Sequence, residues 1–307
     1  MRIASLLGSA TEIVYDLGLG DQLVAISHEC DFPPEALIKP RISRPRFDPA
    51  AKSSREVDAA VRKAMERHGS VYELDEDRLR AVRPELILAQ AVCEVCAVPT
   101  SMAQQAAAML GNRPRVVSLD CHTVDDLFAS VAVVGRAAGV VEQAEELVAS
   151  LRGRIAAVVD RVAGAPRLQV LAVEWLDPPF VPGHWTPQMV EFAGGQLLVS
   201  EAAAPSREVS WDALAGLDPD VLVVMPCGYG LAAARADADR YARNLARVAG
   251  RAMRNGRAFV VDGSAYFNRS GPRMVDGIEI LGALLHPDRF PEVELDGRAE
   301  VWYPCNG

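Results

Sequence analysis

At 307 residues, half of them apolar, the chain is too long for one ordinary core and has the material for two. Its 32 basic and 41 acidic side chains leave a formal charge of −9, which argues against a nucleic-acid backbone as partner, because phosphate binding needs a basic face. No run of about 18 apolar residues occurs, so no helix is expected to span a membrane.

Met1-Arg2 leads directly into Ile3–Leu7, which reads as a first strand. A basic region, an apolar core and a small-residue cleavage site do not occur in series there. The expectation is a cytoplasmic protein as the sequence stands, or a periplasmic or surface-exposed one if a leader has been trimmed. Six cysteines (Cys30, Cys93, Cys96, Cys121, Cys227 and Cys305) are too few for a disulfide framework in a chain this long and fit a reduced compartment.

Ser9 to Glu12 has the S-x-x-E form of a capping box and predicts a helix ending near Gly18. A strand at 23–27 leads into His28, Glu29, Cys30 and Asp31. Residues 40–52 are basic and proline-containing and read as a loop. Ser53 to Glu56 is a second capping box, opening a helix with Val57, Val61, Ala64 and Met65 on one face. A short helix at 75–83, a buried strand at 85–89, a helix at 100–110 and a strand at 115–119 complete the first alternation. The exits of those strands carry Gln90, the Cys93-x-x-Cys96 pair, Cys121 and His122.

From Thr123 to about Ala163 there is no proline and almost no turn signal. Val124, Leu127, Val131 and Val134 mark one face, and Leu147, Leu151, Ile155 and Val158 continue it. The segment reads as one long helix, or two end to end, weakened at Gly135 and Gly139. A helix of about 40 residues extends roughly 60 Å, which suits a strut joining two lobes.

The second alternation opens with the apolar run Val170–Val173, the pattern of a strand buried on both faces. A proline-broken loop follows, carrying Glu174, Trp175, Asp177, His184 and Trp185. Thr186 and Pro187 restart the chain as a helix, the hydroxyl capping it. Ser210 caps a short helix, 220–225 is a buried strand ending at Cys227, and a helix spans about 232–250. A strand at 258–262 ends in Tyr266, Phe267 and Arg269. A last helix at 272–286 precedes an acidic tail. The predicted organisation is an α/β lobe over 1–122, a linker helix over 123–165, a second α/β lobe over 166–290 and a tail over 291–307. The sheets are mostly parallel.

In such sheets ligands sit at the carboxyl ends of the strands. The aromatic and ionisable side chains gathered there suit a large, flat, partly apolar ligand in a cleft between the lobes. Ser9, His28, Glu29, Trp175, His184, Trp185, Tyr266, Phe267 and Arg269 are the candidate ligand-binding residues. The alternative for Trp175 and Trp185 is packing of the loop on its own lobe. His28 and His184 are possible imidazole donors to a metal centre, and Glu174 with Asp177 is a possible acid/base pair. Cys30, Cys93, Cys96 and Cys227 form a possible four-thiolate set for an iron–sulfur cluster or zinc, against the alternative of small buried residues. No G-x-S-x-G and no phosphate loop supports a hydrolase or a nucleotide enzyme.

Several stretches resemble the cobalamin and iron-siderophore substrate-binding proteins of ABC importers. They are RIASLLGSATEIVYDLGLGDQLVAISHECDFP, ELILAQAVCEVCAV, EWLDPPFVPGHWTPQMVEFAGG, DPDVLVVMPCGYGL and DGSAYFNRSGPRMVDGIEILGALLHP. The resemblance spans nearly the whole chain, and the HEC, CxVC, WLDPPF and GHW pieces resemble a cobalamin-binding branch. It implies a class III periplasmic-binding-protein architecture of two Rossmann-like lobes on a long inter-lobe helix, binding without chemistry. It also implies that Trp185, Trp175, Tyr266 and Phe267 pack on a corrin. An ABC permease is an implied partner, docked through Asp212 and Glu94. Two rival readings stay open: a cytosolic metalloprotein or metalloenzyme on the cysteine set, and an iron-siderophore or haem binder.

Overall fold

The computed structural model describes residues 1–49, 52–91 and 98–303. The chain divides into two compact units. The first holds Met1–Ala51, Ala59–Cys121 and Asp125–Ser150, and the second holds Lys52–Asp58, His122–Val124 and Leu151–Gly307.

From the amino terminus the elements are β1 (Ile3–Ser5), α1 (Gly8–Asp16), β2 (Leu23–Ala25), β3 (Ser43–Pro45), α2 (Ser54–His68), β4 (Tyr72–Leu74), α3 (Glu76–Val82), β5 (Leu86–Ala89), α4 (Thr100–Met109), β6 (Arg115–Ser118), α5 (Val124–Ala138) and α6 (Val141–Val162). Strands in the order β2-β1-β5-β6 form a parallel sheet, and β3 and β4 pair antiparallel beside it. The first unit's core includes Ile87 on β5, Leu79 on α3, and Leu6 and Ile42 beside the ends of β1 and β3.

The two predicted capping boxes fare differently. At α2 the box forms: Ser53 N and Oγ donate to the Glu56 carboxylate at 2.9 and 2.8 Å, and Glu56 N donates back to Ser53 Oγ at 3.4 Å. At α1 it does not. The helix starts at Gly8 with Leu7 in the capping position and no side-chain cap, so Ser9 falls inside the first turn, buried.

The predicted linker is two helices. Gly139 lies at φ 76° between α5 and α6, a left-handed conformation that favours glycine. At Gly135 a Cβ would stand 2.4 Å from Ala144 Cβ, so the helices meet where the chain turns. Helix α6 passes from the first unit into the second at Leu151.

The second unit continues with β7 (Leu168–Val173), β8 (Trp175–Leu176), β9 (Pro179–Val181), α7 (Thr186–Phe192), β10 (Gly195–Leu197), β11 (Arg207–Glu208), α8 (Trp211–Leu214), β12 (Val221–Val224), α9 (Leu231–Arg240), α10 (Ala242–Arg254), β13 (Ala258–Val261), α11 (Gly263–Tyr266), α12 (Arg273–Leu285) and β14 (Ala299–Val301). The main sheet runs β10-β7-β12-β13-β14, parallel except for β14. The segment read as an acidic tail therefore supplies an edge strand. Trp302 anchors it, fully buried, with its indole donating to Asp239 at 2.8 Å. Arg154 on α6 donates to Glu279 at 2.9 Å and also to Asp276, tying the end of α6 to α12. Among the described residues no helix is long and apolar enough to cross a membrane.

Candidate functional site

The stretch after β7, read as a proline-broken loop, is a hairpin. Trp175 pairs with Phe180 and Leu176 with Pro179, and β11 adds a third antiparallel strand through Arg207–Val181 and Glu208–Phe180. Asp177-Pro178, whose peptide bond is cis, is the turn. The prolines that signal a break to sequence reading occupy the turn and its edge, where no ladder donor is lost.

The hairpin brings its polar residues to separate partners. Asp177 accepts from Arg55 Nε at 2.8 Å and from Tyr241 Oη at 3.0 Å. Trp175 stands edge-on to Tyr229, ring centroids 5.2 Å apart at 61°. The Tyr229 hydroxyl donates to the Lys52 carbonyl at 3.3 Å, and burial, the largest influence, pushes the phenol up to about 12. Glu174 sits at the end of β7, where burial pushes its carboxyl up to about 7 against the opposing effect of a hydrogen bond with Ser206. Ser206 Oγ also accepts from Gly183 N at 3.1 Å. Glu174 and Asp177 have no partner in common, so the hairpin does not join them as an acid/base pair.

Gly183 opens the next turn. A Cβ there would stand 2.2 Å from the Ala204 carbonyl oxygen, so only glycine fits this approach. His184 follows at φ 49°, and Val199 and Ala203 on the facing loop are also left-handed, at 61° and 60°. Such conformations are rare outside glycine, least tolerable for a β-branched residue, and concentrate at ligand sites. Two backbone bonds hold the pair of loops: His184 N to Ala204 O at 2.6 Å and Ala203 N to His184 O at 3.1 Å.

Three rings stand in a row here. The His184 ring centroid is 5.8 Å from His122 and 5.6 Å from Trp185, tilted 38° and 34°. Trp185 is pinned by its indole N–H, which donates to the Phe267 carbonyl at 2.7 Å, just beyond β13. Burial, and then the neighbouring His122, lowers the pKa of His184, so its imidazole is neutral near pH 7. Thr186 does not cap α7: Trp185 holds the capping position without a side-chain bond, and Pro187 alone marks the start.

Tyr266 directly precedes Phe267, with the Arg273 and Arg298 guanidinium groups 5.9 and 5.8 Å from its ring. Arg269 is part-buried. The Phe267 side chain is fully buried, so it belongs to the core of the second unit and contributes its carbonyl rather than a packing face. Asp212 is exposed and accepts from Arg247 at 2.7 Å.

The first unit's candidates are engaged within that unit. The His28 ring bonds Ser43 Oγ at 2.8 Å through Nδ1 and meets Glu29 at 3.1 Å through Nε2, with the Tyr72 ring 4.9 Å away and tilted 47°. Cys30 is buried, its sulfur 3.0 Å from Thr11 Oγ1 and 3.5 Å from Ser27 Oγ. Cys93, Glu94 and Cys96 lie outside the described residues. Cys227 is part-buried beyond β12, its N–H donating to the Glu174 carbonyl. Among the described residues no three metal-ligating side chains come together, so an iron–sulfur cluster or zinc finds no support.

Sequence reading missed Arg55, Ser206, Tyr229 and Tyr241. Tyr229 had a signal, an aromatic between glycines at a strand exit. Arg55 had none, since it lies more than 100 residues from the carboxylate it meets.

A family model for periplasmic binding proteins matches residues 3–264. The chain belongs to the periplasmic binding protein family. Among the curated relatives of this periplasmic binding protein is YvrC of Bacillus subtilis (strain 168), an uncharacterized ABC transporter substrate-binding lipoprotein. It is 23% identical over 301 residues, covering 95% of this chain and 82% of that one. The vitamin B12-binding protein of Pectobacterium carotovorum subsp. carotovorum is 26% identical over 228 residues, 73% of this chain and 70% of that one. Among solved structures, a periplasmic heme binding protein from Pseudomonas aeruginosa superposes with a TM-score of 0.69 at 24% identity, covering 95% and 94% of the two chains. The periplasmic vitamin B12 binding protein BtuF of Vibrio cholerae superposes at 0.67 and 20%, covering 92% and 96%. These likenesses agree with the α/β fold and its mostly parallel sheets.

Proposed function

We propose that this chain is the substrate-binding component of an ABC importer and that its cargo is cobalamin or a closely related corrinoid. The observation that carries the reading is the row of His122, His184 and Trp185, held by strained, glycine-dependent backbone. Aromatic faces fixed in advance suit a large flat ligand, because they offer contact area with little side-chain entropy to lose. A corrin is such a ligand. Haem and ferric siderophores are more acidic and call for a cationic site, which a corrin does not need. The names of the vitamin B12-binding relatives support the same cargo. The permease is the implied partner, with exposed Asp212 on its docking face. The role is binding without chemistry.

The test is equilibrium dialysis of the full chain against cyanocobalamin. Wild type binds saturably at one site, and Trp185→Ala weakens binding by about 2 kcal/mol, roughly thirtyfold. Unchanged affinity in Trp185→Ala would make that indole a packing residue and overturn the assignment of the ring row as the cargo site.

A further inference from the structure

We propose that the second unit carries a further site that takes a zwitterion with an apolar side chain, an amino acid of the leucine or phenylalanine kind. The place is a cavity of about 400 Å³ between α6, α12 and the segment before β14, a volume within the range of small-molecule pockets. None of its lining residues belongs to the ring row. Val158 and Phe290, both buried, supply apolar wall. The charged lining is three arginines, Arg154, Arg161 and Arg298, and three glutamates, Glu279, Glu292 and Glu294.

Four of those six charges answer one another. Arg154 donates through Nε and Nη2 to the two oxygens of Glu279, at 2.9 and 2.6 Å. Arg161 pairs with Glu292, and its guanidinium lies 5.3 Å from the Phe290 ring centroid. Arg298 and Glu294 are left over: among the described residues neither makes a side-chain hydrogen bond or an ion pair. The chain turns between them, with Arg298 N donating to the Leu295 carbonyl at 2.9 Å and Gly297 at φ 69°. The Arg298 guanidinium stands over the Tyr266 ring, 5.8 Å from its centroid. That contact uses the face of the guanidinium and leaves its in-plane N–H groups available, in the fork that matches a carboxylate. It also holds the side chain in place, so less side-chain entropy is lost when an anion binds. A ligand with a carboxylate alone would bring a like charge to Glu294, and an amine alone would bring one to Arg298. A zwitterion meets both, and its apolar side chain covers Val158 and Phe290.

The experiment is isothermal titration of the full chain, free of corrinoid, with L-phenylalanine. Wild type is expected to bind one equivalent with a Kd of about 0.1–1 mM. Phenylalaninamide, which lacks the carboxylate, and 3-phenylpropanoate, which lacks the ammonium, should each bind at least about tenfold more weakly. Arg298→Gln should bind phenylalanine and its amide alike, and Glu294→Gln should bind phenylalanine and 3-phenylpropanoate alike. A general disturbance of folding does not produce that pair of selectivity losses. Ala157→Trp, at an exposed position of α6 that lines the cavity, should fill it and abolish binding. Wild type that gives no saturable heat up to about 10 mM phenylalanine would overturn the site. Wild-type selectivity in Arg298→Gln or Glu294→Gln would overturn the zwitterion assignment, and binding that survives in Ala157→Trp would overturn the location. Each of these outcomes leaves the corrinoid reading as it stands.

Discussion

Glu174→Gln isolates the effect of a part-buried carboxyl at the foot of the ring-bearing loop. Glu174 is linked through Ser206 to Gly183, the residue before His184. Burial moves its carboxyl from 4.5 to about 7. An acid whose pKa is higher in the folded state binds its proton more tightly there, so the unfolded state ionises first as pH rises. The carboxyl's contribution to stability is fully present below about 4.5, falls as pH rises, and is lost above about 7. Over roughly 2.5 pH units at ~1.36 kcal/mol each, the loss is about 3 kcal/mol. Glutamine is neutral at every pH and keeps an acceptor and a donor for Ser206. In urea unfolding the variant should match wild type at pH 4 and exceed it by about 3 kcal/mol at pH 8.5. Taking the variant-minus-wild-type difference at each pH cancels the other titrating groups. A difference that is the same at both pH values would refute the burial of this carboxyl as the source of the effect.

Gly183→Ala places a Cβ against the Ala204 carbonyl. It should destabilise the chain by about 1–3 kcal/mol, the range for overpacking, and weaken cobalamin binding more than thermal stability alone explains, because His184 moves with the backbone. Thermal unfolding and dialysis on the same preparation read both effects. Asp177→Asn weakens the bonds from Arg55 and Tyr241. Because the Arg55 side chain is 77% exposed, its share is small. The expected loss is about 1 kcal/mol, unchanged in a Tyr241→Phe background if the Tyr241 hydroxyl plays no part and reduced there if it does.

Much of the fold is legible because buried strands announce themselves. The runs at Val170–Val173 and Val221–Val224 are apolar at every position and pair in register as parallel neighbours. Helix starts are less legible, because a cap is a geometry and not only a residue type. Ser53 and Glu56 close their box, while Ser9 and Glu12 carry the same pattern inside a helix that already began at Gly8. The prolines after Glu174 conceal a hairpin, since an Asp-Pro turn and a loop share a composition. Gly139 marks the break in the long helix, yet sequence alone leaves a bend and a break equally open. At the site, Trp185 and His184 are visible as rare side chains at a strand exit. Phe267 carries the same signal and is fully buried, because a residue at a strand exit faces ligand or core according to the backbone turn that follows. The Arg55–Asp177 contact spans 122 positions, and no local pattern encodes it.

The most direct test of the account is a competition. The full chain is incubated with equal concentrations of cyanocobalamin and haemin, separated from free ligand by gel filtration, and read by its absorbance. The account predicts a corrin spectrum at about one ligand per chain, strongly reduced in Trp185→Ala. A haemin spectrum, or protein that elutes without either chromophore, would contradict the corrinoid assignment.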